Sequence, residues 1–513
     1  MTKVIGIDLG TTFSAIASLD DMGNPEVISS IEDNRKITAS VVYVDGKNAI
    51  VGDKALDYFV KKPKQVITET KRQMENDVVF SVDQGKWTKD QDLTDAFTPA
   101  QVSSLILKKL KDYTSGVTRA VITVPAMFAE SARQATLEAA KMAGIEVIEL
   151  INEPTAAVLH YASLPGVKVG GRVMIFDLGG GTFDVTIAEV KNKKVDVITS
   201  RGDKYLGGKD FDAEITKLMN KKYKAKHNVE LDLNNNKEYI KKAEDVKKIL
   251  SVKDKTNVQV NGPKGALDIE ITRAEFEESI QTYLEKTKML IEEALESSSM
   301  KPSRINQTLL VGGSTRIPAV VQSLTKLMGK PPVKGVNVDE AVVCGAAVYA
   351  GLKTEHKSLN KKQQEALAQV ELTDVCNFFM GTLAIVTDQS TNRQVMANTT
   401  IIERDVKLPV SKTKRYYTIY EGQEELECSV TQSEGFEDNV EFVNIIHKEM
   451  LKLPKNRPAK QPVDITYSYD ASGKIHCLFT DVESGNKHEI ELKPHTTKEL
   501  DKQIKEVTDI VVE

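Results

Sequence analysis

Two kinds of hydrophobic pattern alternate along most of the chain. Apolar runs bounded by glycine or polar turn residues predict strands, among them residues 3–7, 120–124, 173–177 and 308–311. Apolar residues at helical spacing predict helices over residues 131–143 and 273–297. Strands that alternate with helices in this way indicate an α/β region with covered sheets up to about residue 353.

The pattern changes beyond that point. Residues 354–373 are polar and contain no glycine, which predicts a tethered helix or a linker. Residues 374–493 carry short alternating segments such as ECSVTQS, separated by turn residues, and predict an antiparallel β-domain. Residues 494–513 have room for one short helix and nothing more. We therefore expect four segments, the first being residues 1–353.

One sequence feature occurs twice in the α/β region. Residues 5–18 read IGIDLGTTFSAIAS and residues 175–188 read IFDLGGGTFDVTIA, so each copy has a strand, an aspartate, a Gly/Thr turn and a second strand. The repeat predicts an internally duplicated fold. Two such hairpins facing each other would clamp a polyphosphate with backbone N–H groups and hydroxyls, while Asp8 and Asp177 hold a hydrated Mg²⁺. The simpler alternative is a pair of hairpins with incidental glycines.

A third glycine turn occurs in LVGGSTR at residues 310–316, between a predicted strand and a predicted helix. Backbone N–H groups at such a turn can contact a phosphate or a ribose and base. The alternative is a flexible connection between the strand and the helix.

Composition excludes several classes of function. The 513 residues are 40% hydrophobic and 28% charged, with 69 basic and 74 acidic side chains and a formal net charge of −5. Such a balance suits an ordinary globular protein of two or three domains and argues against nucleic-acid or anionic-membrane binding. The four cysteines form no Cys-x-x-Cys pair, so neither a zinc site nor a disulfide framework is indicated. Because no secretion signal or membrane-spanning run is present, we expect a cytoplasmic protein without membrane contact.

Seven motifs carry a family resemblance. IDLGTT, AVITVPAMF, INEPTAA, IFDLGGGTFDV, LGGKDFD, VGGSTRIP and DEAVVCGAA occur in this order. They closely resemble the nucleotide-binding domain of the heat-shock-70 chaperones of the DnaK type, which belong to the actin, hexokinase and chaperone ATPase superfamily. The resemblance covers residues 1–353 closely and the β-domain more loosely. It implies an actin-like ATPase domain (a duplicated ribonuclease H-like fold) and an all-β sandwich peptide-binding domain, with ATP or ADP, Mg²⁺ and K⁺ as ligands.

The resemblance also implies roles for residues around the phosphates. The family's phosphate loops fall on Gly10, Thr11, Thr12, Phe13, Gly180, Gly181 and Thr182. Its Mg²⁺ and potassium shell falls on Asp8, Asp177 and Asp184. Its essential lysine falls on Lys71, which would stabilise charge at the γ-phosphate, and its water-orienting glutamate falls on Glu153. We count Asp177 and Thr182 with these two as the catalytic set.

The family's adenosine contacts map onto three parts of this sequence. They fall on Glu244, Lys247, Lys248, Ser251, Gly313, Ser314, Arg316 and Asp339. Lys248 stands where some members have an arginine that stacks on the base. Because a lysine lacks the planar guanidinium, the affinity for adenosine is expected to be lower.

The resemblance also implies coupling between the ATP site and the peptide-binding domain. Pro125 and Arg133 match the family's relay between the ATP site and the peptide-binding domain, whereas Met127 and Ala129 depart from its usual Tyr and Asn. The linker at residues 370–374 has polar residues at two of four apolar positions. Since a docked linker is held by buried apolar side chains, weaker coupling is predicted.

Spacing within the segment that resembles the family's β-domain gives the residues of an expected peptide groove. It would be lined by Thr382, Ile385, Tyr416, Ile419 and Leu426, with Tyr416 in place of the usual Phe. The alternative is that these are ordinary core residues of the sandwich. The family's helical lid is missing after residue 493, which predicts fast peptide exchange.

The expected function is that of an ATPase and chaperone that binds extended apolar polypeptide segments and works with a J-domain co-chaperone and a nucleotide-exchange factor. The first alternative is an ATP-binding regulatory adaptor with one dedicated protein partner. A small-molecule kinase and a filament-forming protein of the same superfamily are further alternatives, and the appended β-domain argues against both.

Overall fold

The first lobe is built around a mixed sheet. In the computed structural model, which describes residues 3–93, 95–164, 170–233, 237–333, 337–388, 390, 392–470, 473–490, 492 and 497–513, this lobe comprises residues 3–164. Its main sheet has the order β12-β11-β1-β2-β3, and β4 pairs with β2. The strands are β1 (Lys3–Asp8), β2 (Phe13–Leu19), β3 (Pro25–Val27), β4 (Thr38–Ala39), β5 (Val42–Asp45), β6 (Asn48–Val51), β7 (Val66–Ile67), β8 (Val79–Ser81), β9 (Lys86–Thr88), β10 (Ala96–Phe97), β11 (Val117–Val124) and β12 (Glu146–Asn152). The helices are α1 (Asp53–Leu56), α2 (Tyr58–Lys61), α3 (Pro99–Lys111), α4 (Glu130–Met142) and α5 (Glu153–Ser163).

The second lobe repeats this topology. Strand β13 pairs in parallel with β18 and antiparallel with β14, as β1 pairs with β11 and β2 in the first lobe. The strands are β13 (Gly170–Leu178), β14 (Phe183–Lys191), β15 (Lys194–Asp203), β16 (Lys255–Gly262), β17 (Gly265–Thr272) and β18 (Gln307–Val311). The helices are α6 (Gly208–His227), α7 (Lys237–Leu250), α8 (Arg273–Ser279), α9 (Gln281–Ser297), α10 (Pro318–Met328) and α11 (Ala341–Leu352). The predicted duplication is therefore present.

The helix predicted over residues 273–297 is wrong in one respect, because it is divided into α8 and α9. Ile280, with φ −98° and ψ 5°, lies outside the α-helical region and separates the two helices. Its side chain is fully buried in the core of the second lobe, as is that of Phe276. The bend thus serves packing that periodicity alone does not reveal.

Helices α5 and α11 come into backbone contact at one glycine. A Cβ atom on Gly345 of α11 would lie 1.8 Å from the carbonyl oxygen of Ala156 in α5. A Cβ on Gly6 of β1 would lie 2.3 Å from the backbone nitrogen of Ala347. Glycine is required at both positions because the backbones occupy the space of a side chain. The contact brings the ends of β1 and β13 to a common cleft.

The linker folds onto both lobes. Helix α12 (Lys361–Leu367) begins at the capping box of Asn360 and Gln363, whose side-chain amides also donate to backbone oxygens of the β2–β3 turn at 3.0 and 2.9 Å. Strand β19 (Glu371–Thr373) then adds in parallel to β15 of the second lobe. The predicted linker thus contains a 3₁₀ turn at His356–Ser358, one short α-helix and one short strand.

The β-domain is a sandwich of two antiparallel four-stranded sheets, β21-β20-β23-β24 and β22-β25-β26-β27. Its strands are β20 (Phe379–Thr387), β21 (Gln394–Ile402), β22 (Val410–Tyr417), β23 (Glu425–Ser433), β24 (Asn444–Lys452), β25 (Pro462–Tyr469), β26 (Ile475–Asp481) and β27 (Lys487–Ile490). Buried Met380, Val430, Tyr467 and Phe479 form its core.

The chain beyond the β-domain returns to the first lobe. Helix α13 (Thr497–Thr508) packs on α3 and α4, and strand β28 (Val511–Val512) pairs in parallel with β6. The expectation of one helix and nothing more is therefore wrong, because a strand follows the helix. No helix in the described ranges is long and apolar enough to cross a membrane.

Candidate functional site

A cleft of about 440 Å³ separates the two lobes where the duplicated hairpins end. The turn of the first hairpin lines it with Gly10, Thr11, Thr12 and Phe13, and the turn of the second lines it with Gly180 and Thr182. A Cβ atom on Gly180 would lie 1.9 Å from Oγ1 of Thr12, so the two turns touch. The structure thus brings both predicted phosphate loops together.

Two predicted residues lie just behind the cleft lining. Gly181 follows the lining glycine, and a Cβ on it would lie 2.5 Å from the Thr11 side chain. Asp184 pairs with Asp177 across the β13–β14 hairpin. Both residues therefore support the cleft wall from within the second hairpin.

A further glycine pair supports the second Gly/Thr turn. The backbone N–H of Gly208 donates to Gly179 O at 3.0 Å, and that of Lys209 donates to Gly180 O at 2.8 Å. A Cβ on Gly207 would lie 2.6 Å from the backbone nitrogen of Gly181. The motif LGGKDFD contains this pair, but its role was missed, because the sequence does not show which backbone it approaches.

The predicted lysine and glutamate meet inside the cleft. Lys71 lies in a 3₁₀ turn, Thr70–Gln73, and only 7% of it is exposed. Its ammonium donates to the carboxylate of Glu153, the first residue of α5. Both residues line the cleft beside the two Gly/Thr turns. A buried cation at this place can stabilise negative charge that develops on a bound phosphate.

Four carboxyl groups, three of them on buried residues, surround this lysine. Burial raises the pKa of Asp8 and of Glu153, although the charge of Lys71 opposes both shifts. Burial and the neighbouring carboxylates raise the pKa of Asp177 well above its usual range. Burial and the Glu153 carboxylate raise the pKa of Asp184 to about 8. Four acids and one lysine leave the site short of positive charge, which favours a bound cation or proton.

The donor atoms suit a hard, hydrated cation. Oδ1 of Asp184 and Oγ1 of Thr12 are buried and have no hydrogen-bond partner within the described ranges. No three acidic, histidine or cysteine side chains of the described residues converge on one ion. An ion here would therefore keep water or phosphate oxygens among its ligands, as Mg²⁺ commonly does.

The predicted adenosine side of the cleft is held by charged pairs. The Lys248 ammonium lies 2.6 Å from the Glu244 carboxylate and 5.8 Å from the centroid of the Phe13 ring in the opposite lobe. The Arg316 guanidinium donates twice to Asp339, at 2.8 and 2.7 Å. Although burial opposes it, the surrounding lysines lower the pKa of Glu244 to about 2. This carboxylate is therefore charged at neutral pH.

The remaining predicted adenosine residues connect α7 and the third glycine turn to the second Gly/Thr turn. Lys247 donates to Gly208 O at 2.9 Å and also lies 2.8 Å from Asp212. The Ser314 hydroxyl donates to Gly179 O at 2.8 Å, whereas that of Ser251 donates to Lys247 O at 2.9 Å. Gly313 lines the cleft beside them.

An arginine beside Lys71 connects the lobes. Nε of Arg72 donates to Gly181 O at 2.9 Å, and its guanidinium also binds the Asp210 carboxylate. Asp210 accepts from the N–H of Gly207 at 2.8 Å, in the first turn of α6. The sequence ETKR offered no signal beyond adjacency to Lys71, so this contact was missed.

The predicted relay residues lie where the β-domain meets the first lobe. The Arg133 guanidinium binds the Asn152 side chain, whose Nδ2 donates to Asp374 Oδ2 at 3.1 Å. Thr155 donates to the same oxygen at 3.2 Å. Pro125 begins the adjacent turn, and its carbonyl accepts from Phe128 N at 3.2 Å. Because Asn152 precedes Glu153, this network begins one residue from the cleft.

Two sequence departures lie within the docked interface. Met127, which is 3% exposed, packs into the β-domain core beside Cys376 and Phe378. In the linker, Val370 is buried and Leu372 packs on the core between the lobes, while Glu371 points outward and pairs with Lys194 at 2.7 Å. The linker therefore docks through two apolar side chains.

The five predicted groove residues divide into two groups. Ile385 and Ile419 are 42% and 46% exposed. Thr382 is buried, and its hydroxyl donates to Ser429 O at 2.8 Å. Tyr416 and Leu426 pack against the sandwich core. The structure therefore does not bring Thr382 to an accessible surface.

One comparison with known proteins covers nearly the whole chain. A protein-family model described as Hsp70 protein matches residues 4–511. The match spans both lobes, the linker, the β-domain and α13, and it ends at the first residue of β28.

Proposed function

Because this chain belongs to the Hsp70 family, with an actin-like ATPase domain, a β-sandwich and an ATP-dependent chaperone-like function, we propose that it hydrolyses ATP in the cleft with Mg²⁺ and captures extended apolar polypeptide segments in the β-domain. The observation that carries this proposal is the convergence of Lys71, Glu153 and the two phosphate loops on one cleft. Domain boundaries at residues 353, 373 and 493 are part of it.

We assign the reaction to residues of both lobes. The two Gly/Thr turns hold the phosphates with backbone N–H groups, and Thr182 faces them from the second lobe. Lys71 stabilises the charge that develops on the γ-phosphoryl group, and Glu153 orients the attacking water. Asp8, Asp177 and Asp184 would hold Mg²⁺ and K⁺, which would neutralise charge on the phosphate oxygens. Because four acids lie here, hydrolysis should require the metal.

Binding of Mg²⁺ with ADP should release protons at pH 7 to 8. Asp184, whose pKa is raised to about 8, is partly protonated there, and a bound cation displaces its proton. Calorimetry in two buffers of different ionisation enthalpy measures the release. The release should shrink toward pH 10, where Asp184 is already ionised, and in Asp184→Asn. Equal heats in both buffers at pH 7.5, or an unchanged release in Asp184→Asn, would contradict the assignment.

We propose that ATP reaches the β-domain through the Arg133–Asn152–Asp374 contacts. The dissociation rate of a labelled peptide from the β-domain should be at least about tenfold higher with ATP than with ADP, because coupling between two sites commonly has this magnitude. Asp374→Ala should bring the two off-rates together, because it removes the acceptor of Asn152 and Thr155. The matched control Asp464→Ala removes an aspartate that pairs with Arg415 on the β-domain surface and should keep the ratio. J-domain and nucleotide-exchange partners would act on this cycle.

Peptide exchange is proposed to be fast in both nucleotide states. The exposed Ile385 and Ile419 offer an apolar surface for a bound segment. In the described part of the chain, the residues after the β-domain pack on the first lobe and do not cover these side chains. A bound peptide thus exchanges without a covering element in this arrangement.

The burial of Thr382 favours a second candidate function, an ATP-binding adaptor with one dedicated partner. The Tyr416 hydroxyl also lies 2.5 Å from Thr399 Oγ1, which fixes the ring against strand β21 of the opposite sheet. A groove altered in this way would suit one sequence better than many. Equal peptide off-rates with ATP and ADP in the unmodified protein would select this function.

A further inference from the structure

We propose that residues 497–513 are a clasp: the first lobe carries a binding site for this helix–strand segment, and its occupancy keeps the β-domain docked on the ATPase domain. The site lies between helices α3 and α4 and the free edge of strand β6. The proposal goes beyond ATP hydrolysis and peptide binding, and neither is needed for the clasp to close.

The strand part of the clasp extends a sheet of the first lobe. Val511 N donates to Lys47 O at 2.9 Å, and Glu513 N donates to Ala49 O at 2.8 Å. Val51 N donates in return to Glu513 O at 2.9 Å. The resulting sheet has the order β28-β6-β5-β7, so β28 covers an edge that β6 would otherwise expose.

The apolar side chains of the clasp enter the core of the first lobe. Val507 is fully buried and Ile510 is 8% exposed, and both belong to the same cluster as Leu105 and Ile106 of α3. Ile504 and Val512 pack against that cluster. The segment thus presents one continuous apolar face, of the kind by which a helix occupies a groove.

Polar contacts fix the position of the helix end. Lys108 of α3 donates to the carbonyl of Val507 at 2.7 Å, near the C-terminus of α13, where the helix dipole favours a cation. The Gln101 side chain donates to Glu506 at 2.8 Å. These contacts come from one face of α3 and set the register of α13 on the lobe.

The connection to the β-domain is short enough for the clasp to act on docking. Strand β27 ends at Ile490 and α13 begins at Thr497, so six residues separate them. Such a connection spans at most roughly 25 Å. At its other end the β-domain is held by β19 on the second lobe and by the twofold Arg201–Asp405 contact at 3.1 and 2.8 Å. When one of these two attachments is closed, it keeps the other end of the β-domain near its site. The effective concentration for closing the second attachment is therefore high.

The test measures docking directly, without hydrolysis. All four native cysteines are buried, so fluorophores can be placed on Asp83→Cys of the first lobe and Asn486→Cys of the β-domain. With ADP bound, deletion of residues 497–513 or the Val507→Asp/Ile510→Asp pair should raise the undocked fraction at least about tenfold. Lys505→Ala, on the exposed face of α13, should leave it unchanged.

Two further arms keep the outcome decisive. A synthetic peptide of residues 497–513 should bind the deleted protein without restoring docking, because it occupies the site but lacks the connection. Equal undocked fractions in the parent and the deleted protein would overturn the clasp. If the variants do not fold, amide hydrogen exchange on the parent decides: protection of Val51 and Glu513 supports the clasp, and exchange at the unprotected rate overturns it. Hydrolysis rates are recorded separately, so failure of the ATPase assignment is distinguishable.

Discussion

Lys71→Ala should slow single-turnover hydrolysis of ATP by at least about a hundredfold, the usual cost of removing a preorganised charge from a reacting centre. The lysine is buried in the cleft, and its ammonium binds Glu153 beside both phosphate loops. Its charge is needed most when negative charge shifts in the transition state, so the affinity for ATP should change less than the rate. Rapid-quench measurement with excess protein separates the chemical step from product release.

Lys109→Ala is the matched control for this variant. Lys109 is equally buried, at 7% exposure, and its ammonium also binds a carboxylate, that of Glu32, but it lies outside the cleft lining. It should affect thermal stability and leave hydrolysis within a few-fold of the parent. An unchanged rate in Lys71→Ala, with ATP still bound, would remove this residue from the catalytic set.

Gly207→Ala should raise the Kd for ATP about a hundredfold. The added methyl group would lie 2.6 Å from Gly181 N and 2.7 Å from Gly180 C, so the second phosphate loop has to move. Backbone N–H groups would then miss the phosphates. Two lost hydrogen bonds to a charged group, at about 1.5 kcal/mol each, correspond to about this loss of affinity. Fluorescent-nucleotide titration measures it.

Gly179→Ala provides the comparison within the same loop. A Cβ there would lie 3.7 Å from Thr182 O, which is an ordinary contact, so its affinity should stay close to that of the parent. Equal loss in both variants would mean that any alanine disturbs the loop. The specific role of the α6 N-terminus would then be withdrawn.

The sequence predicted the cleft because the two hairpins that line it carry the same local pattern. A strand, an aspartate and a Gly/Thr turn are set by neighbouring residues, and their repetition around Asp8 and Asp177 implied two facing hairpins. The contact of Gly207 with the second loop was not predictable in this way. It depends on how α6 meets β13 and β14 in three dimensions, which no spacing within LGGKDFD records.

The misses share a cause in long-range packing. Residues 511–512 form a strand only because β6 offers a free edge, and a two-residue strand has no periodicity of its own. Ile280 interrupts a continuous helical pattern because its side chain is drawn into the core. Thr382 lies in a segment that predicts a strand, but alternation does not tell which face meets the opposite sheet.

Helix α12 changes the mechanics of the connection between the ATPase domain and the β-domain. Because α12 is fixed on the β2–β3 turn and ends at Leu367, only three residues remain before β19 begins at Glu371. A chain segment this short has few conformations to search, so little entropy opposes its return. After a β-domain has separated, re-docking should therefore be a rapid, intramolecular event whose rate does not depend on protein concentration.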